Sequence, residues 1–240
     1  MIGPAEREVA ISVGLVYDPI YLQHDTADHV ENRRRLTETM AVLEQSGLLA
    51  QLVHIPPRAA TVDEVASVHS RQHIANIEKV CQAGGGWIDA DTVASSASYE
   101  VALYAAGGTL AALEAIMAQE KTPANRAFAL VRPPGHHAPV DQAMGFCLFN
   151  NVAIAASQAL DKYKLERVAI VDFDVHHGNG TQDIFYHEPR VLYFSTHQWP
   201  LYPGSGAVND AGGKGAEGTK VNRPLPPGCG DAEYLAVFDR

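Results

Sequence analysis

Cysteine, unbroken apolar sequence and clustered positive charge are all scarce in this chain of 240 residues. Its three cysteines, Cys81, Cys147 and Cys229, are odd in number and far apart, with no CxxC spacing, so neither a disulfide framework nor a cysteine zinc site fits them. They read as reduced packing residues. The opening MIGPAEREVA has no apolar core of signal-peptide length, and the longest apolar-rich stretch, residues 101–118, is interrupted by Glu114 and two glycines. The expectation is a soluble, cytoplasmic protein that does not enter a membrane. Basic residues cluster densely only at Arg33–Arg35, in a helical stretch beside Glu31 and Glu38, against a formal net charge of −10. Direct binding to nucleic acid draws its affinity from Lys and Arg gathered on phosphates, so it is excluded, and a cationic ligand is favoured. Gly213, Gly215 and Gly218 match GxGxxG, but no apolar strand precedes them and TKVNRPLPPG cannot begin a helix, which excludes a dinucleotide loop.

What is present is a 46% hydrophobic chain, enough for one sizeable core, so residues 1–240 are expected to form a single domain. Apolar runs rich in Val, Ile and Leu recur as VAISVGLVY near residue 9, LVHI at 52, AFALV at 127, RVAIVDFD at 167 and RVLYFST at 190. Such continuous runs predict strands covered on both faces. Helix-forming stretches lie between and after them, at residues 29–46, 62–82, 98–120, 150–161 and 231–239. The alternation predicts an α/β three-layer sandwich around a mainly parallel central sheet, with ligand sites beyond the carboxyl ends of its strands. The Gly/Pro-rich tract 202–228 predicts one long loop, suited to a rim or lid.

Two strand ends then carry the chemistry. VAIVDFDVHHGNG, residues 168–180, leads a buried-looking strand into Asp172, Asp174 and His176, which strand alternation sends in related directions. Unpaired carboxylates do not survive burial without a cation or a hydrogen-bond network. Asp oxygen and His nitrogen suit zinc or another first-row divalent ion, making Asp174 and His176 candidate ligands; a strand-end Asp capping a helix beside a packed His is the competing reading. ALVRPPGHHAP, residues 129–139, ends a second apolar strand in a Pro-Gly turn followed by His136 and His137, which favours chemistry. Histidines with carboxylate or amide partners can exchange protons near neutral pH.

The runs RPPGHHA, GFCLFNNVAIAA, VDFDVHHGNGTQDIFY, VLYFSTHQWPLYPGSG and GKGAEGTKVNRPLPPG, with HDTADHVENRRRL and VHSRQHIANI nearer the start, closely resemble the histone deacetylase superfamily. The likeness is greatest to its class II-like and acetylpolyamine amidohydrolase branches and runs through most of the chain. It implies a zinc-dependent amidohydrolase on an arginase-like α/β fold, removing acetyl or related acyl groups from lysine side chains, polyamines or similar amines. By position, Asp174 and His176 resemble the zinc ligands, His136 the histidine oriented by Asp172, and His137 the general base and acid, partnered by Asn179. Some branches place an aspartate where Asn179 stands, so protonated His137 is expected to be less supported here. Gly145, Phe146 and Tyr202 resemble the wall and rim of a narrow substrate channel, Trp199 being a further rim candidate. Asp172, Asp174 and His176, with Ser195 and Thr196, resemble a structural potassium site. An oligomer is compatible with all of this.

The sequence also departs from that pattern. Family members carry a third zinc ligand, an aspartate in a later GFDAH-like segment, and then an oxyanion-binding tyrosine in a glycine-rich loop; neither segment occurs in these residues, and Asp183, Asp210, Asp231 and Asp239 lie in other contexts. The final helix stops at Arg240 without a cap, so the chain reads as lacking its C-terminal part. Little or no activity is expected of the 240-residue form. The alternative readings are a catalytically incomplete acyl-amine binding module of the same fold, a hydrolase using Cys147 or Ser205 as a covalent nucleophile, and a two-metal ureohydrolase.

Overall fold

The computed structural model describes residues 12–118 and 124–239, so residues 9–11 of the first expected strand and residues 119–120 of the third expected helix lie outside it. Strands β1 (Val13–Val16), β2 (Val53–Ile55) and β5 (Arg126–Ala129) form one parallel sheet in the order β2-β1-β5. Strands β6 (Val168–Asp172), β7 (Val191–Gln198) and β8 (Lys220–Leu225) form a second parallel sheet in sequence order. A short antiparallel hairpin joins β3 (Gly85–Trp87) to β4 (Val93–Ser95). The central sheet expected from the alternation is thus present as two parallel halves among the described residues. Between the ends of β5 and β6 lies a cleft of about 670 Å³, lined by Ala129, Val131, Ile170 and Val171 among others, and Phe173 beside it is 75% exposed.

Seven α-helices are described: α1 (Arg34–Gln45), α2 (Val62–Val65), α3 (Arg71–Gln82), α4 (Ser98–Met117), α5 (Asn151–Asp161), α6 (Asn179–Ile184) and α7 (Asp231–Phe238). The stretch expected as one helix at 62–82 is broken in two because Ser70 starts a new one, its hydroxyl accepting from the His73 N–H at 3.2 Å. Thr61 and Glu64 close a capping box around α2. Helix α4 is long and apolar enough to cross a membrane, yet its Ala-rich faces are buried against β1, β5 and α5, as a core helix requires. Ile74, Leu110, Phe149, Ile154, Ile170 and Tyr193 belong to the larger core, which ties α3, α4 and α5 to β6 and β7.

The tract expected as loop at 202–228 holds strand β8. Pro224 is tolerated there because β8 has β7 on one side and no described strand on the other, so no ladder needs its missing N–H. Arg35 pairs with Glu31 at 3.5 Å as expected of the basic cluster, whereas Arg33 reaches Asp25 at 3.2 Å.

Arg132, three residues past β5, is fully buried and fixes the turn that follows. Its Nε donates to both carboxylate oxygens of Glu31 at 2.9 Å, and its remaining N–H groups reach Thr26 Oγ1 and the carbonyls of Tyr21 and His24. The segment 21–31 is thereby tied to the approach of the Pro-Pro-Gly turn. Because Glu31 is itself only 7% exposed, Glu31→Ala leaves an uncompensated buried guanidinium and should destabilise the fold by about 3–5 kcal/mol. Chemical denaturation measures this; a loss below about 1 kcal/mol would show that Arg132 finds other support.

Candidate active site

The two motifs meet at the ends of β5 and β6. His136, carried by the turn beyond β5, donates from Nδ1 to Asp172 Oδ2 at 3.0 Å, and Asp172 is the last residue of β6. The same oxygen accepts from Tyr193 Oη at 2.9 Å, while Asp172 Oδ1 accepts from the Asp174 N–H at 3.2 Å. Gly178 lies directly over this pair: a Cβ there would stand 2.4 Å from Asp172 Oδ2 and 2.9 Å from His136 Nδ1. Only glycine fits. The Thr181 N–H bonds the His136 carbonyl at 3.1 Å, fastening the start of α6 to the histidine turn.

His137 is 4% exposed, its ring 4.0 Å from that of His136, 5.8 Å from that of His176 and 5.0 Å, edge on, from that of Tyr202. Its Nδ1 is 2.9 Å from Asn179 Oδ1, an acceptor, which puts the ring proton on Nδ1 and the lone pair on Nε2. Gly145, at φ +56°, is forced by closeness, since a Cβ there would be 2.4 Å from His137 Cδ2. Phe146 follows in the same left-handed region at φ +70°, a conformation unusual for a bulky residue, and its N–H is held by Thr92 Oγ1 at 3.1 Å.

The two neighbouring imidazoles are driven in opposite directions. Burial would lower His136, but the hydrogen bond and charge of Asp172 outweigh it and raise its pKa above the ordinary histidine value. Burial pushes His137 down to about 4, helped by the positive charge of His136 and only partly opposed by Asn179. Asp172 stays below the usual carboxylate range because the bonds from His136 and Tyr193 outweigh its burial.

Asp174 Oδ1 and His176 Nδ1 lie 3.0 Å apart at the edge of this cluster, with side chains 51% and 35% exposed. An oxygen and a ring nitrogen in mutual reach suit a divalent ion, and they supply two of the three protein donors that a catalytic zinc takes. Among the described residues no group of three His, Cys, Asp or Glu is placed to hold a metal. Asp210 is engaged by Gln182 Nε2 at 2.6 Å, and Asp183, Asp231 and Asp239 are on the surface. Ser195 is the register partner of Asp172 and pairs through Oγ with His197 Nδ1 at 2.9 Å; Thr196 Oγ1 beside it is buried with no hydrogen-bond partner, an orphan oxygen that a monovalent cation would suit.

His136, His137, Asp172, Asp174, His176, Asn179, Gly145 and Tyr202 therefore converge. The Phe146 ring meets His29 edge-on at 4.8 Å, and His29 in turn meets Trp87 edge-on at 6.1 Å. His29 and Tyr193 fall within the family-like runs 24–36 and 191–206 without standing out there as site residues, and Trp87 falls in none of them; the Tyr193 hydroxyl buttresses Asp172. Cys147 is fully buried, with its thiol pushed up by burial and Sγ 3.3 Å from the Gly145 carbonyl, while Ser205 Oγ pairs with His177 Nδ1 at 2.7 Å and not with His136 or His137.

Residues 29–240 match the histone deacetylase domain, and the chain belongs to that family. It is 43% identical over 229 residues to a protein of Archaeoglobus fulgidus named "Probable deacetylase", covering 94% of this chain and 62% of that one. To the "Histone deacetylase-like amidohydrolase" of Pseudomonas aeruginosa it is 40% identical over 230 residues, covering 95% and 58%. The crystal structure of the HDA15 HD domain superposes with a TM-score of 0.86 at 37% identity, covering 95% of this chain and 67% of that one. The arginase/deacetylase-like α/β fold follows. The chain spans about three fifths of the length of the two named relatives.

The neutral partner of His137 makes a direct test. Asn179→Asp places a carboxylate against Nδ1, favours the imidazolium and should raise the His137 pKa from about 4 by about 1–3 pH units. Ring-nitrogen NMR titration reads the change; an unmoved or lowered value would mean that Asn179 does not set the protonation of His137.

Proposed function

We propose that the chain carries a zinc-dependent amide-hydrolysing centre that removes acetyl or related acyl groups from amines, with lysine side chains and polyamines as the substrate class. The family membership supports deacetylase chemistry. The observation that carries the assignment of roles is the pair of touching imidazoles driven apart in pKa, beside a converging aspartate and histidine.

Asp174 and His176 would hold the zinc, which when bound polarises the amide carbonyl and acidifies a coordinated water. His137 is neutral at pH 7, with its lone pair on Nε2, and would serve as the base toward an attacking water. The same nitrogen would then return that proton to the amine nitrogen as the C–N bond breaks, which regenerates His137, and the carboxylic acid so formed gives its remaining proton to the amine or to solvent and leaves as a carboxylate. Asp172 favours the imidazolium form of His136, and with the two rings 4.0 Å apart that charge disfavours protonation of His137. Gly145, Phe146 and Tyr202 would flank the acylated stem, and the acidic balance of the chain favours a cationic carrier. A potassium ion beside Asp172, Asp174, His176, Ser195 and Thr196 would stiffen the β6 and β7 ends.

With two zinc donors in reach, the 240-residue polypeptide should bind zinc weakly and turn over slowly. Assayed with an acetyl-lysine peptide, Asp174→Asn should remove both zinc binding and turnover. His137→Ala should keep zinc binding while lowering turnover about 10²–10⁴-fold. Turnover that survives a chelator, or an acyl group trapped on Cys147 or Ser205, would contradict this reading. Binding of the acetylated peptide by calorimetry with no zinc-dependent turnover at any enzyme concentration would instead establish the binding module.

A further inference from the structure

Lys220, on β8, takes no part in the site above and is 1% exposed. A buried lysine ordinarily runs its stem along apolar surface and returns its ammonium to water. Here the ammonium ends inside. Nζ donates to Thr219 Oγ1 at 2.6 Å, to the Val191 carbonyl at 2.9 Å and to the Glu188 carbonyl at 3.3 Å, so its three N–H groups have three acceptors. Thr219 gives its own hydroxyl proton to the Ala216 carbonyl at 2.6 Å, which turns its lone pairs toward the ammonium.

No carboxylate completes the cage. The Glu188 side chain bonds Arg190 at 2.7 and 2.9 Å, and among the described residues no ion pair reaches Lys220. Burial lowers the Lys220 pKa to about 8, opposed by the charge of Glu188, so the ammonium remains the main form at pH 7. Two carbonyls and a hydroxyl around a dry monocation are the donor set that proteins offer potassium, whose hydration shell such oxygens replace. The cage joins the turn between α6 and β7 to β8, and Lys220 is the register partner of Tyr193.

We infer that Lys220 is a tethered cation: its ammonium fills an oxygen cage, built by Glu188, Val191 and Thr219, that accepts a free monovalent ion of ammonium or potassium size once the side chain is removed. The cage stands apart from the deacetylase reading, because the test reads folding and not turnover. Lys220→Ala, Lys220→Met and the unaltered chain are melted in equal concentrations of sodium, potassium, ammonium, methylammonium and tetramethylammonium chloride. In sodium, Lys220→Ala should melt lower than the unaltered chain. Ammonium, methylammonium or potassium should then raise its Tm by about 2–4 °C more than they raise the unaltered chain's, with tetramethylammonium ineffective. The subtraction removes any ion effect at the Asp172–Ser195 end of the sheet. Lys220→Met, whose stem still fills the approach, should show no such discrimination. If Lys220→Ala does not fold in sodium, recovery of folded protein on refolding in methylammonium or ammonium supports the cage. Undiminished stability of Lys220→Ala, a loss that no cation selectively restores, no folded protein in any salt, or equal discrimination in Lys220→Met overturns it.

Discussion

The contact between His136 and Asp172 is the joint on which the rest of the site depends. The two parallel halves of the sheet share no strand pairing among the described residues, and the cleft between β5 and β6 keeps their edges apart. Among the bonds that cross from one half to the other at the functional end, the central one is a charged hydrogen bond of 3.0 Å, roofed by Gly178 and backed by the Tyr193 hydroxyl. Such a pair is costly to bury unless each lone pair and proton is used. Asp172 meets that condition, its oxygens taking bonds from a ring, a phenol and a backbone N–H.

From that joint the division of labour between the histidines follows. His136 shares a carboxylate and is pushed toward its charged form; His137, one residue on, has an amide and a charged neighbour and is pushed toward its neutral form. Two adjacent, chemically identical side chains thus acquire different proton affinities through burial and the partners each one meets. The glycines at 145 and 178 belong to the same design, since each removes a side chain that would separate a histidine from what it touches.

Much of this was legible in the sequence, for identifiable reasons. The strands ending at Ala129 and Asp172 announce themselves as apolar runs stopping at a Pro-Gly turn or an acidic pair, and the residues just past them form the site. Strand β8 was hidden because Gly and Pro dominate its surroundings and its hydrogen-bonding demand falls on one side only. The hairpin β3–β4 is three residues a side and contains GGW, below any periodicity signal. His29 reaches Phe146, and Trp87 reaches His29, from distant segments, and the oxygens around Lys220 include two main-chain carbonyls, which leave no trace in side-chain patterns. The division of the sheet was equally unreadable, because strand order is a tertiary property that apolar runs do not encode.

The central claim is that Asp174 and His176 hold a divalent ion within reach of the two proton-handling imidazoles. A crystal of the chain soaked in zinc, measured at the zinc absorption edge, tests it most directly. The account predicts an anomalous peak about 2.0–2.2 Å from an Asp174 carboxylate oxygen and a His176 ring nitrogen. Zinc bound only elsewhere, with those two side chains turned apart, would contradict it.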